Sequence, residues 1–275
     1  MEDNPKNLIR YKIRNFLFDY LRKKDYIINN YSGDTNLRHF FNGIKPVDIQ
    51  EGLIRVGGSN DGGYLIPNIL EGIKYCFSPG IAENANFEKE LSDKYNIKSF
   101  MLDLSVDNPP VEDDSFEFLK KNLNVYNNKE NITFEDWFME AVGQNSGEAI
   151  LQMDIEGYEY KVLYDIPHKI MNNFRILVIE FHDFSRFLFE PVGYHFVSGV
   201  FEKILSQFSV VHIHENNCCP STTMKGIRIP KVVEMTFLNK NYVNPTGKEA
   251  SIPHQLDEKN VPDLPDSFFP KLWEM

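Results

Sequence analysis

The chain has few cysteines, no long apolar run and no excess of positive charge. Its 275 residues include three cysteines, two of them adjacent, which excludes a disulfide framework and favours reduced thiols. No segment approaches the roughly 18 apolar residues that a membrane span needs, and the N-terminus lacks the apolar core of a secretory signal. Lys and Arg number 29 against 40 Asp and Glu, so the net charge of −11 makes nucleic acid a poor partner. We expect a cytoplasmic protein.

The composition that remains, 42% hydrophobic and 25% charged, is that of an ordinary globular protein. Residues 7–24 carry apolar side chains at spacings of three and four, which predicts an amphipathic helix rich in Lys and Arg. Such a helix can dock on a membrane surface or a partner, or it can pack on the main domain with its basic face in water. We favour packing, and a homodimer through this helix is also compatible with the sequence. Residues 29–52 are predicted to be an irregular connection.

Short apolar runs alternate with helical patterns along the rest of the chain. Strands are predicted over 74–77, 98–104, 131–134, 149–155, 175–181, 210–214 and 232–238, and helices over 84–94, 111–124, 135–142, 159–163 and 193–208. Strands separated by helices predict an α/β fold with a mostly parallel sheet, and the last two strands, joined by a loop, should pair antiparallel. We therefore predict residues 1–50 as an N-terminal helical extension and residues 51–275 as one domain.

Ligands of such sheets bind beyond the carboxyl ends of the strands. The first strand is followed by Ser78, Gly80 and Ile81, and the second ends at Asp103, where a carboxylate can bind both hydroxyls of a ribose. The loop has no G-x-G-x-x-G pattern, and Glu83 and Glu88 would repel a pyrophosphate. An acidic pocket suits the cationic S-adenosylmethionine better than NAD.

A glycine-rich segment precedes this first strand. Residues 57–63 contain four glycines and Asp61, which with Gly62 can approach a ligand closely and accept a hydrogen bond from its amine. A plain hairpin turn explains the same glycines equally well.

Acidic and histidine side chains follow three later strands. Asp154 and Glu156 end one strand, Glu180 and His182 end the next, and His214 follows in a third. Because buried charges need partners, Asp154, Glu180 and His214 are predicted to bind Mg²⁺ or Mn²⁺, with His182 as general base. In a metal-free alternative His182 or His214 alone takes the acceptor proton, and Glu156 can simply cap a helix. A zinc site from His212, His214, Cys218 and Cys219 lacks standard spacing.

Several segments resemble one known family in order. Residues 152–159 (QMDIEGYE), the loop 78–82 with Asn86, Phe87 and Glu88, and residues 179–182 (IEFH) resemble the FkbM-type methyltransferases. Residues 55–64, 212–217, 230–237 and 256–260 are similar to a subgroup found beside surface-polysaccharide genes. Gln152 and Pro79 depart from the family pattern. The resemblance implies a class I, Rossmann-like sheet, S-adenosylmethionine bound by the 78–87 loop, and O-methylation of a sugar.

The residues and the resemblance together predict a sugar O-methyltransferase that acts on a nucleotide-activated or surface-polysaccharide sugar. Catalysis is predicted for His182, His214 and Asp154, and cofactor binding for Asp61, Gly62, Ser78, Gly80, Ile81, Asn86, Phe87, Asp103 and Asp154. An NAD-dependent sugar oxidoreductase and a non-catalytic nucleoside- or glycan-binding subunit remain alternatives. Aromatic residues after the fifth strand can form either a wall for a sugar ring or part of the core; they are Phe184, Phe187, Phe189, Tyr194 and Phe196.

Overall fold

The computed structural model describes residues 5–24, 29–143 and 148–274; parts of the predicted N-terminal extension, at residues 1–4 and 25–28, lie outside them. Helices in these ranges are Pro5–Arg22 (α1), Asp34–Gly43 (α2), Asn86–Tyr95 (α3), Phe134–Val142 (α4), Glu159–Asp165 (α5), His168–Met171 (α6), Phe184–Phe189 (α7) and Pro191–Gln207 (α8), with 3₁₀ turns at Lys240–Tyr242 and Leu272–Glu274. Strands are Val47–Ile49 (β1), Leu53–Val56 (β2), Tyr64–Pro67 (β3), Tyr75–Pro79 (β4), Lys98–Leu102 (β5), Phe116–Leu119 (β6), Asn122–Asn124 (β7), Asn131–Thr133 (β8), Ala149–Met153 (β9), Phe174–Phe181 (β10), Phe208–Glu215 (β11), Thr222–Met224 (β12), Ile227–Ile229 (β13), Val233–Asn239 (β14) and Pro245–Glu249 (β15).

Seven of these strands form one sheet in the spatial order β11-β14-β10-β9-β4-β5-β6. Neighbouring strands from β10 to β6 pair in parallel, whereas β14 is antiparallel to both β10 and β11. The predicted α/β class and mostly parallel sheet are confirmed, as is the antiparallel pairing of β11 with β14. The antiparallel strand, β14, does not lie at the edge of the sheet. It is inserted between β10 and β11, so that β11 forms the edge.

Alternate residues of the central strands face two different core layers. Leu177, Ile179 and Phe181 pack in a layer with residues of α2, α4, α5, α7 and α8, while Ile176 and Val178 pack with residues of α3 and the β2–β3 hairpin. All eight residues of β10 are buried, as expected for a strand covered on both faces. Glu180 therefore points to the hairpin face. Among the residues described, no helix is long and apolar enough to cross a membrane.

The N-terminal region differs from its prediction in two ways. Residues 29–52 are not irregular throughout, because Leu37, Phe40 and Phe41 form the buried face of α2. Their spacing of three and four was a helical signal hidden among Asn, Gly and Asp. In contrast, the part of the α1 stripe whose side chains the structure describes, from residue 10 on, faces away from the main domain, since Phe16 is 76% exposed and Tyr20 52% exposed. The domain boundary at residue 50 and the homodimer stay predictions.

The prediction of a helix over residues 111–124 is wrong. The segment forms β6 and β7, and Phe116 and Phe118 pack together against the small cluster around Ile81 and Met101. Asp113 holds the turn before β6, where its carboxylate accepts hydrogen bonds from the Ser115 amide and hydroxyl at 2.8 and 2.6 Å. The alternation of phenylalanines was the strand signal, and the surrounding charged residues obscured it.

The aromatic residues after the fifth strand belong mainly to the core. Phe184, Phe189 and Tyr194 are buried in the main layer, and Phe187 packs against it, so they do not form a wall for a sugar ring. Phe196 is 39% exposed and contacts Tyr164 instead.

We expect Phe41→Ala to lower the free energy of unfolding by about 3–5 kcal/mol, because it removes a fully buried ring that contacts Phe184 and Phe269. Phe16→Ala, at an exposed position of α1, should change it by no more than about 0.5 kcal/mol. Urea titration of both variants measures the difference. Equal effects would show that α2 is not part of the core.

Candidate functional site

Four titratable side chains share the hairpin face at the carboxyl end of β9 and β10. Glu180 pairs with Glu234 across β10 and β14, and Glu234 pairs with His214 across β14 and β11. Ile179 pairs with Met153, so Asp154 and Glu180 each follow by one residue and point to the same side. The fold therefore brings Asp154, Glu180, Glu234 and His214 into one row, although they lie far apart in the sequence.

A cavity of about 560 Å³ opens beside this row, at the ends of β4, β5 and β9. Its size is that of a pocket for a drug-sized ligand. It is lined by Gly80, Ala82, Leu102, Asp103, Ser105, Lys121, Asn122, Leu123, Asn124, Tyr126, Asn131, Asp154, Ile155, Glu156 and Tyr158. Asp103 is fixed at its wall by hydrogen bonds from the Ala82 amide at 2.9 Å and the Ser105 amide at 2.7 Å. The Ser105 hydroxyl also donates to Asp103, at 2.6 Å. Because a carboxylate has about four acceptor positions, Asp103 can still accept a hydrogen bond from a ligand hydroxyl.

A smaller cavity of about 80 Å³ adjoins the first and shares Gly80, Ala82 and Asp154 with it. Gly80 has a φ of +87°, and a Cβ there would lie 1.6 Å from the Asp154 carbonyl oxygen, so only glycine fits. Asp61 and Gly62 line the small cavity from the β2–β3 turn, which confirms that this glycine-rich segment is a hairpin turn and brings it to the site.

The other residues predicted to bind a cofactor occupy different places. Ile81 and Phe87 are buried and line the small cavity, whereas Asn86 is exposed at the start of α3 and lines neither of the two cavities. Ser78 is fully buried behind the cavity wall, where its hydroxyl is hydrogen-bonded to Glu88 and, at 2.6 Å, to Gln152. Ser78 therefore supports the wall and does not line it.

His182 is held from one side by a buried carboxylate. Its Nδ1 lies 3.0 Å from Oε1 of Glu159, which also accepts hydrogen bonds from the backbone amides of Ile155 and Gly157. Its Nε2 faces three carboxylates: Glu156 at 3.4 Å, and Asp154 and Glu180 at 3.8 Å each. Burial disfavours the imidazolium, but the hydrogen bond and charge of Glu159 outweigh it and raise the pKa of His182 above its usual value. A histidine whose Nδ1 is fixed by a carboxylate presents Nε2 as a proton acceptor.

The carboxylates of the row are poorly compensated. Burial raises the pKa of Asp154 to about 7, although the positive charge of His182 acts in the opposite direction. Burial and the neighbouring acids raise the pKa of Glu180 well above its usual value. Oε1 of Glu180 accepts a hydrogen bond from Asn216 at 3.0 Å, but Oε2 is buried without a hydrogen-bond partner.

His214 belongs to a second cluster, formed with the C-terminal tail. Its Nε2 lies 3.2 Å from Asn260 Oδ1 and its Nδ1 3.7 Å from Asp257, which also approaches His212 at 2.9 Å. Although burial disfavours the imidazolium, Asp257 and Glu234 raise the pKa of His214 to about 9. Among the described residues, the groups close enough to share a cation are Asp154, Glu180 and His182, and Asp61, Glu180 and Glu234. The ligand set predicted with His214, and the zinc set with Cys218 and Cys219, are not among them.

Residues 67–209, just over half of the chain, match the family model described as Methyltransferase FkbM domain. The chain belongs to the FkbM methyltransferase family. No curated protein matches the chain. The sheet order, with its antiparallel strand one position from the edge, is consistent with a Rossmann-like methyltransferase. For a member of this family, S-adenosylmethionine is the implied cofactor.

The candidate site contains residues that the sequence analysis did not assign. Two of these residues stand out in the sequence. Glu159 is an acid at the buried start of α5, and Glu234 is the one acid in the apolar strand β14. Asp257 and Asn260 lie in the segment 256–260 that resembles the family subgroup, but their residue types gave no role, since they stand in a polar tail whose contacts with β11 and β14 depend on the tertiary fold.

Gly80→Ala should destabilise the methyltransferase and weaken its binding of S-adenosylhomocysteine, because the new Cβ collides with the Asp154 carbonyl. Gly52→Ala is the matched control: its φ is also positive, but nothing lies within 4 Å, so only about 1–2 kcal/mol of strain is expected. Urea titration and calorimetry measure the two effects. Unchanged ligand affinity in Gly80→Ala would mean that this turn does not contact the cofactor.

The charged form of His214 should stabilise the fold below about pH 6.5, and this contribution should disappear as pH rises through about 9. The free energy of unfolding of the unsubstituted protein should therefore fall over this range, relative to His214→Gln, by up to about 3 kcal/mol. His195→Gln, at an exposed position on α8, is the control and should follow the unsubstituted protein. Parallel curves for the unsubstituted protein and His214→Gln would contradict the assignment.

Proposed function

We propose that this methyltransferase is an S-adenosylmethionine-dependent O-methyltransferase that acts on a sugar hydroxyl, with His182 as the general base. The observation that carries the proposal is the Glu159–His182 pair, which directs Nε2 toward Asp154, where the two cavities meet. A base fixed in this way has the arrangement required to take a proton from a hydroxyl group.

The two cavities fit the chemistry of S-adenosylmethionine. Asp103 would hold the ribose hydroxyls, and the acid Asp154 in the smaller cavity suits a cationic methionine part. Backbone of Gly80 and Ala82, shared by both cavities, would lie along the junction between these parts. When bound, S-adenosylmethionine supplies a methyl group on a sulfonium sulfur, which a nucleophilic oxygen can take up.

The chain's own contribution is to orient the acceptor and to remove its proton. A sugar hydroxyl does not ionise at neutral pH, so Nε2 of His182 takes the proton as the oxygen becomes nucleophilic. Glu159 keeps Nδ1 protonated and stabilises the imidazolium that forms. A general base of this kind contributes about 10²–10⁴ to the rate.

We take the part of the site that carries Asp61, Glu180 and Glu234 as the acceptor side, where the methyl acceptor would bind. It is rich in hydrogen-bond acceptors. Asp61, Glu180 and Glu234 place their carboxylate oxygens within 4.8 Å of one another, which suits a compound with several neighbouring hydroxyl groups. Together with the resemblance to enzymes encoded beside surface-polysaccharide genes, this favours a sugar, either nucleotide-activated or part of a polysaccharide. The cytoplasmic location stays a prediction.

The function is tested by incubating the protein with S-adenosylmethionine labelled in its methyl group and a panel of nucleotide-activated and free sugars. We expect label in a methyl ether of at least one sugar, identified by mass spectrometry. Label in an amine or in a methyl ester, and in no ether, would contradict methylation of a sugar hydroxyl.

His182→Asn should lower kcat by about 10²–10⁴ while the Kd for S-adenosylhomocysteine stays within twofold, because Asn can still donate to Glu159 but has no Nε2. Glu159→Gln should lower kcat by at least about tenfold, again without loss of cofactor binding, since a positioning carboxylate is removed. His195→Asn, on the exposed side of α8, is the matched control. Full turnover in His182→Asn would exclude this histidine as the base.

A further inference from the structure

Three carboxylates of the acceptor side converge on one another. Asp61, on the hairpin turn, and the strand residues Glu180 and Glu234 keep one carboxylate oxygen each within 4.8 Å of those of the other two. Glu180 and Glu234 are 4% and 6% exposed and stand directly opposite each other on β10 and β14. Like charges in that position destabilise a sheet unless something compensates them.

The neighbouring cations are already engaged. Nε2 of His182 lies 3.8 Å from Glu180, but its Nδ1 is held by Glu159. His214 stands opposite Glu234, but it is shared with Asp257 and Asn260. The Arg55 guanidinium donates to the carbonyl oxygens of Gly58 and Asn60 at 2.7 and 2.8 Å. Asn260 supplies partial compensation, because its amide donates to Glu234 and, at 3.3 Å, to Asp61.

Glu180 provides an independent indication of a ligand. Its Oε2 is buried and has no hydrogen-bond partner, and its carboxylate belongs to the converging group. A buried carboxylate oxygen without a partner is costly in a native structure. Oε1 is already satisfied by Asn216, which fixes the side chain in this orientation.

We propose that Asp61, Glu180 and Glu234 form a binding site for one divalent cation of the Mg²⁺ or Mn²⁺ type. An all-oxygen set of carboxylates is the chemistry that these ions select, and water or acceptor oxygens complete their coordination. This ligand set differs from the one that sequence reasoning gave, because the strand register places Glu234 between Glu180 and His214.

The cation site would add a step to the proposed function. The role given to the cation rests on that function, because it assumes that the acceptor binds on this side. A divalent ion at this place would bind neighbouring hydroxyl oxygens of a sugar and lower the pKa of the one that reacts. A nucleotide-activated sugar carries a negatively charged diphosphate, which the carboxylates of the acceptor side would repel. The positive charge of the cation would reduce this repulsion.

The site is tested by titrating the full-length, chelator-treated protein with Mn²⁺ and counting free ion by electron paramagnetic resonance, with neither cofactor nor sugar present. We expect one Mn²⁺ per chain. Glu180→Gln and Glu234→Gln should each weaken its affinity at least tenfold, whereas Glu83→Gln, which removes an exposed charge near the same opening, should change it less than twofold.

A thermal-denaturation series checks that the variants are folded. Mn²⁺ should raise the Tm of the unsubstituted protein but not that of Glu180→Gln, which without metal should melt at the same temperature or higher because a buried charge is gone. Lack of Mn²⁺ binding below millimolar concentration, or equal weakening by Glu83→Gln, would overturn the proposal. Loss of affinity in His182→Asn equal to that in Glu180→Gln would also overturn it, because the ion would then lie among Asp154, Glu180 and His182.

The two proposals fail separately. Labelled methyl ether formed by protein that binds no Mn²⁺ would overturn the cation site and leave the O-methyltransferase intact. Mn²⁺ bound with the expected variant pattern, but without methyl transfer to any sugar, would support the cation site and contradict the function.

Discussion

The site depends on one buried carboxylate. Oε1 of Glu159 accepts hydrogen bonds from the Ile155 and Gly157 amides, and it fixes Nδ1 of His182. The same atom therefore shapes the turn after β9 and orients the imidazole after β10. A fully buried charge is tolerated only when such partners are present, so the turn, the carboxylate and the histidine depend on one another. Asp154 takes its place at the cavities because this turn begins directly after it.

Around this pair the fold collects negative charge on one face of the sheet. The strand register aligns Glu180, Glu234 and His214, and the C-terminal tail adds Asp257 and Asn260 to them. The tail thus contacts both the His214 end of the row and, through Asn260, Asp61 at the smaller cavity. Part of the acid behind the net charge of −11 lies here, and acidic surroundings would suit the proposed cationic cofactor and divalent ion.

Much of the sheet could be predicted because its strands are apolar runs bounded by turns, as in β9 and β10. The segment that became β6 was misread, since its two phenylalanines alternate among charged residues, and α2 was missed because three apolar positions were surrounded by loop-forming residues. Asp103, Asp154 and His182 could be predicted as candidates from their places at strand ends, and their roles stay predictions. Glu234 as a partner of Glu180 could not be found, because the register between β10 and β14 is set by long-range packing.

The most direct test of this account is the tautomer of His182, observed in a long-range ¹H–¹⁵N spectrum of protein labelled with ¹⁵N-histidine. When the His182 ring is neutral, we predict a protonated Nδ1 that donates to Glu159 and an unprotonated Nε2 at the acceptor side. The signal should be assigned by its absence from His182→Asn. A neutral ring protonated at Nε2 would contradict the account, because His182 could not then accept a proton at that atom.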